Sequence, residues 1–161
     1  MIPSIPLTTD EGAPNADIRI AGCRLLRLLE DGGTTRSYVA NYLETSMVVV
    51  KLFDEDLVRR LPEGPQAYDW QCDALLALQN RTLPLTVRFG HRPDLKCRYI
   101  VQEYVFGERL ATVRRALGRP MTPAEAAELL YPIADALLTC HANGLHHGRL
   151  TAIHIALEQG V

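Results

Sequence analysis

The sequence predicts an α+β chain in which a β-rich first part is followed by a helical one. Three observations carry this. Five β-compatible runs fall before residue 106, a single stretch with helical spacing interrupts them, and the clearest helix-start signal in the chain lies late, at Thr122. With 161 residues, 47% of them hydrophobic and 22% charged, the chain is long enough for one core, which excludes both a disordered segment and a multidomain machine.

Taken in order, residues 1–17 mix Pro3, Pro6 and Pro14 with Thr8, Thr9, Asp10 and Gly12, a combination that disfavours helix and ladder alike and predicts a flexible leader. The largely apolar runs Ile18 to Leu29 and Tyr38 to Leu43 are split by Glu30-Asp31-Gly32-Gly33-Thr34-Thr35, so a hairpin is expected. A third strand at Met47 to Phe53 contains three consecutive valines, whose β-branched side chains suit a pleated sheet, and it ends at Asp54-Glu55-Asp56. After Pro62, Gly64 and Pro65, the apolar positions Tyr68, Cys72, Leu75, Leu76 and Leu78 recur mostly at three and four, which predicts one amphipathic helix over Gln66 to Gln79. Leu85 to Phe89 and Tyr99 to Val105 complete five strands, joined by a turn through Gly90, Pro93 and Asp94.

Beyond Gly107 the pattern becomes helical. A short helix is expected near Leu110 to Leu117, and Thr122-Pro123-Ala124-Glu125 reads as a capping box with proline at the first helical position. The long helix it opens carries Leu129, Ile133, Leu137 and His141 on one stripe, with Leu130, Ala134 and Leu138 beside it; Pro132 should kink it and Asn143-Gly144 should end it. Little chain remains to cover those stripes. The face of Leu129, Ile133 and Leu137, with Leu130 and Leu138 beside it, is therefore expected to pack against a protein partner, a second subunit or a C-terminal continuation.

Several function classes drop out. A net charge of −2 leaves no electrostatic footprint for nucleic acid, and Arg59-Arg60 and Arg114-Arg115 read as solvated helix faces. The longest aliphatic run, Ala74 to Leu78, is far short of the roughly 20 residues that span a bilayer, and no secretory signal is readable before residue 18, so the cytoplasm is the expected compartment. Cys23, Cys72, Cys97 and Cys140 form no CxxC or CxxH unit and are expected to be buried thiols. His141, His146, His147 and His154 follow no recognised ligand spacing, so no metal is expected.

Val48-Val49-Val50-Lys51 resembles the Val-Ala-Ile-Lys strand of protein kinases, and the preceding hairpin lies where their Gly-rich phosphate loop belongs. Tyr99 through Leu110 resembles the fifth strand and hinge of bacterial serine/threonine kinases. Leu130 to Leu138, followed by His141 to His147, resembles the long helix that leads into their catalytic loop. The resemblance covers residues 18–161 and implies a kinase-like fold: a five-stranded antiparallel N-lobe sheet with one helix over 18–106, then a truncated helical C-lobe over 107–161. It places Gly32, Gly33, Val49, Lys51, Gln71, Gln102 and the hinge backbone at Glu103 and Val105 around a nucleotide.

The same resemblance implies that the chemistry is lost. In the family's loop, H-R-D-L-K-P-x-N, the Asp accepts the substrate proton and the Asn holds magnesium. Here the loop reads His147-Gly148-Arg149-Leu150-Thr151-Ala152-Ile153-His154. Arg149 stands at the base, and a guanidinium stays protonated and cannot accept a proton. Thr151 replaces a phosphate-facing lysine, and His154 brings a softer nitrogen ligand where a hard cation needs oxygen. Of the loop glycines only Gly32 matches, with Glu30 and Thr35 at the outer positions and Ser37 at the usual valine. Gln71, or Asp73 in a shifted register, takes the place of the glutamate that pairs with Lys51. No metal-binding Asp-Phe-Gly segment occurs in the sequence. The expected function is that of a pseudokinase, a non-catalytic binding or regulatory signalling module with at most weak, magnesium-independent ATP binding. The alternative is an active atypical small-molecule or lipopolysaccharide-type kinase, families that show His-Gly-Asp or a histidine near the place of His154.

Overall fold

A computed structural model of the chain describes residues 18–158, which divide into two units, residues 18–77 with 85–104 and residues 78–84 with 105–158. The expected leader lies outside the described residues.

The first unit is built on β1 (Arg19–Ile20), β2 (Cys23–Asp31), β3 (Thr35–Tyr42), β4 (Ser46–Asp54), β5 (Thr86–Arg92) and β6 (Cys97–Glu103), an antiparallel sheet in the order β1-β2-β3-β4-β6-β5. There are six strands, not the five expected. The run from Ile18 to Leu29 is broken at Ala21 (φ 55°) and Gly22 (φ 82°), so that Arg19 and Ile20 fold back onto Arg24 and Cys23. Glycine supplies the left-handed backbone that this tight reversal requires.

Alternation along the strands divides the apolar residues between two faces. Val48, Val50 and Leu52 lie on one, with Ile20, Cys23, Leu25, Tyr38, Ala40, Cys97 and Val101. Phe53 and Ile100 lie on the other, against Val58, Tyr68 and Cys72. The sheet curls around the first face. Although β1 and β5 stand at opposite ends of the strand order, Arg88 Nη1 donates to the Ala21 carbonyl (3.1 Å) and Arg92 Nη1 to the Arg19 carbonyl (2.9 Å). Guanidinium–carbonyl bonds thus join two edges that no backbone ladder closes.

Two helices cover the second face, where one was expected. Asp54 does not merely end β4: its carboxylate accepts from the N–H groups of Asp56 (2.9 Å) and Leu57 (3.2 Å) and caps α1 (Glu55–Arg59). The second, α2 (Gly64–Ala77), begins with Gly64-Pro65 inside its first turn, where the missing proline N–H has no helical partner to lose. Its Tyr68 meets Phe53 edge to face at 5.5 Å between ring centres. Gly90, expected in a turn, lies within β5, where a side chain would collide with the Tyr99 ring; the reversal is made instead by a 3₁₀ turn at Pro93–Leu95 and a left-handed Lys96.

The second unit contains β7 (Glu108–Arg109), α3 (Leu110–Leu117), α4 (Pro123–Ala142) and β8 (Ala156–Leu157), the two short strands pairing with each other. Gly107 (φ 156°) starts this pairing, and a side chain there would sit 2.5 Å from the Leu157 carbonyl oxygen. The capping box forms as expected: Thr122 Oγ1 accepts from the Glu125 N–H (3.3 Å) and Glu125 Oε2 from the Thr122 N–H (2.8 Å). The helix is continuous across Pro132.

Its two stripes differ in exposure. Leu129, Ile133 and Leu137 are half-buried beside the buried Ala136, whereas Leu130, Tyr131 and Leu138 are 55%, 80% and 69% exposed. The open face of α4 is therefore the neighbouring one, because Ala136 and the half-buried residues i−3 and i+1 from it define the inward side. Among the described residues no helix is long and apolar enough to cross a membrane.

Candidate functional site

Strand register assembles the kinase-like residues of the first unit. Lys51 on β4 stands opposite Ser37 on β3 and Ile100 on β6, and Val49 stands opposite Gln102. Val49, Lys51 and Gln102 therefore share the face on which α2 packs. Lys51 is half-buried there, and the buried Gln102 amide donates to Thr86 Oγ1 at 3.2 Å. Gln71 and Asp73, the two expected counterparts of Lys51, are both exposed on α2.

The ion pair that ties α2 to the sheet is one the sequence reading missed. Arg98 on β6, its side chain 13% exposed, pairs with Asp69 and lies over the Tyr68 ring at 5.2 Å. Its place beside the buried Cys97 could have been a signal, but the partner is 29 residues away in sequence. Burial pushes the Tyr68 phenol up, and it pushes the Cys72 thiol up to about 11.

The β2–β3 hairpin stands where a phosphate loop was expected, but its tip is bonded to itself. The Gly32 N–H donates to the Thr35 carbonyl (2.9 Å), the Gly33 N–H to Asp31 Oδ1 (2.9 Å) and the Thr34 N–H to the Gly32 carbonyl (2.9 Å). Arg36 Nε donates to Asp31 Oδ2 (3.1 Å). The Gly33 N–H, the largest influence, and Arg36 hold the Asp31 carboxyl below its usual range. A phosphate cradle works by presenting unpaired N–H groups to the anion. These are occupied.

At the hinge, the Glu103 N–H donates to the Leu85 carbonyl (2.8 Å) and its carboxylate accepts from the Leu85 N–H (3.4 Å). Val105 lies outside any strand, and no described residue bonds its backbone N–H.

In the second unit the loop from His147 to His154 is stapled by its own histidines. The Arg149 N–H donates to His147 Nδ1 (3.3 Å), the Thr151 N–H to His154 Nδ1 (3.1 Å), and the two rings lie 5.0 Å apart between centres. The His154 ring is thus turned back onto Thr151. The loop is anchored to α3, whose Leu110 and Ala111 N–H groups donate to the carbonyls of Ile155 (2.9 Å) and Ala152 (3.1 Å). Gly148 adopts φ 71°, and Arg149 is exposed. His141 and His146 form a separate pair at 5.0 Å; among the described residues no three His, Cys, Asp or Glu side chains converge as metal ligands.

No family model and no curated protein matches the sequence. Among solved structures, the PknI kinase domain of Mycobacterium tuberculosis superposes with a TM-score of 0.71 at 16% identity, over 91% of this chain and 59% of that one. The fold is kinase-like. A double-mutant form of the same kinase domain gives a TM-score of 0.73 at 16% identity, over 91% and 60% of the two chains. The chain thus spans about three-fifths of the kinase domains it matches, and at this identity the likeness is one of fold.

Proposed function

We propose that this chain is a pseudokinase module, one that binds and regulates without transferring phosphate. The observation that carries the reading is Arg149, a permanent cation at the position where the family's base would accept the substrate proton. A positioned base contributes about 10²- to 10⁴-fold to such reactions, so its replacement by a cation removes a large part of the catalysis. The self-bonded hairpin tip and the bond of His154 Nδ1 to the Thr151 N–H support the same reading, since the donors a phosphate would need and this ring nitrogen are already taken. Nucleotide, where it binds, does so weakly through Val49, Lys51 and the hinge backbone at Glu103.

The experiment is phosphotransfer from radiolabelled ATP by the purified chain with magnesium or manganese, beside thermal melting with nucleotide. No transfer is expected, and any melting shift is expected to be unaffected by chelator. A ligand at 100 times its dissociation constant stabilises by about 2.7 kcal/mol, which melting resolves. Magnesium-dependent transfer that is lost in Lys51→Met would overturn the proposal in favour of an active atypical kinase.

A further inference from the structure

We propose that the carboxylate of Asp31 is the resident anion of the β2–β3 hairpin, so that the tip is closed to phosphate by the chain itself. This rests on the pseudokinase reading and supplies a reason for it at the phosphate end of the site. A hairpin tip takes up an oxyanion through unpaired backbone N–H groups and a nearby cation. Both are present here, and one side chain occupies both: Asp31 Oδ1 accepts from the Gly33 N–H and Oδ2 from Arg36 Nε, at 2.9 and 3.1 Å.

The remaining tip donors, the N–H groups of Gly32 and Thr34, are bonded to the carbonyls of Thr35 and Gly32. A phosphate entering the tip would have to displace a carboxylate tethered two residues from its donor, which competes at a high effective concentration. It would also meet two like charges, Glu30 and Asp31, adjacent in sequence at the end of β2. The closure is therefore both steric, in that the donors are taken, and electrostatic.

The probe is inorganic tripolyphosphate, titrated calorimetrically into the whole chain. Wild type is expected to show no saturable binding in the millimolar range. Asp31→Ala, which releases the Gly33 N–H and Arg36, is expected to bind at least about tenfold more tightly, the gain of one charge-assisted contact. Adding Arg36→Ala to that variant should remove the gain. Asp31→Asn keeps the turn's acceptor and removes only the charge, so it should fall between wild type and Asp31→Ala, and it carries the test if the alanine variant loses the hairpin. Equal binding by wild type and both Asp31 variants overturns the proposal, as does a gain that survives Arg36→Ala. These results leave the pseudokinase reading standing, because that reading fails only on phosphotransfer by the unmodified chain.

Discussion

The proposed pseudokinase reading turns on a few side chains set in a kinase-like frame. In that reading, Arg149, Thr151 and His154 act through chemical identity at an aligned position, which a sequence displays without a structure. Asp31 was legible in principle, since an Asp two residues before a Gly N–H is a local turn acceptor. Arg98 with Asp69 was not, because it joins a strand to a helix across 29 residues. One prediction follows from the loop. Arg149→Asp should not restore phosphotransfer, because the charge is repaired while Thr151, His154 and the occupied hairpin donors remain, and positioning acts as a unit. Measurable autophosphorylation by that single variant would contradict it. A second concerns thiols. Burial pushes Cys72 and Cys97 up to about 11 and raises Cys23 and Cys140 as well, but Cys140 alone is only half-buried, on α4, and open to reagent. A thiol reagent added to the native chain should therefore modify Cys140 first and reach the other three only on unfolding. Mass spectrometry after partial labelling reads the order directly.

At the level of elements, periodic segments were readable as helices, although α2 begins and ends two residues earlier than its apolar spacing suggests. Both α3 and α4 have the expected limits, since each shows the helical period and α4 adds a capping signal as well. Short elements were not readable: β1, β7, β8 and α1 have two to five residues each and are fixed by what they pair with or by a single cap. Two predictions belong here. Glu125 is held down to about 2, chiefly by its hydrogen bond to Arg119 and further by Thr122. Its folded value lies below the ordinary one of about 4.3, so its contribution to stability is complete above that pH and is lost as pH falls toward 2. Thermal stability should decline over this interval less in Glu125→Gln than in wild type. On the sheet, Arg98→Ala should destabilise the first unit by about 1–2 kcal/mol through loss of the partly buried pair with Asp69 and of the contact with Tyr68. A chemical denaturation midpoint that does not move would show that α2 is held by apolar packing alone.

Over the whole molecule, the most consequential difference from the sequence reading is which side of α4 is left open. Helical periodicity identified two adjacent apolar stripes but could not rank them, because both repeat at three and four; only packing separates the half-buried Leu129, Ile133 and Leu137 from the exposed Leu130, Tyr131 and Leu138. An exposed leucine alone would call for no explanation. Three large apolar side chains on one helix face, with Ala127 and Ala134 also exposed, make a contiguous apolar surface, flanked by the exposed acids Glu128 and Asp135, that a second copy of the chain can cover. Self-association through this face is the expected outcome. The two stripes give a paired test. Leu138→Glu should shift the chain toward monomer in sedimentation equilibrium while leaving its melting temperature nearly unchanged, since its side chain is already exposed. Ile133→Glu should lower the melting temperature, because a half-buried position would have to take a charge. If the unmodified chain is monomeric at high concentration and Leu138→Glu changes nothing, self-association through this face is ruled out.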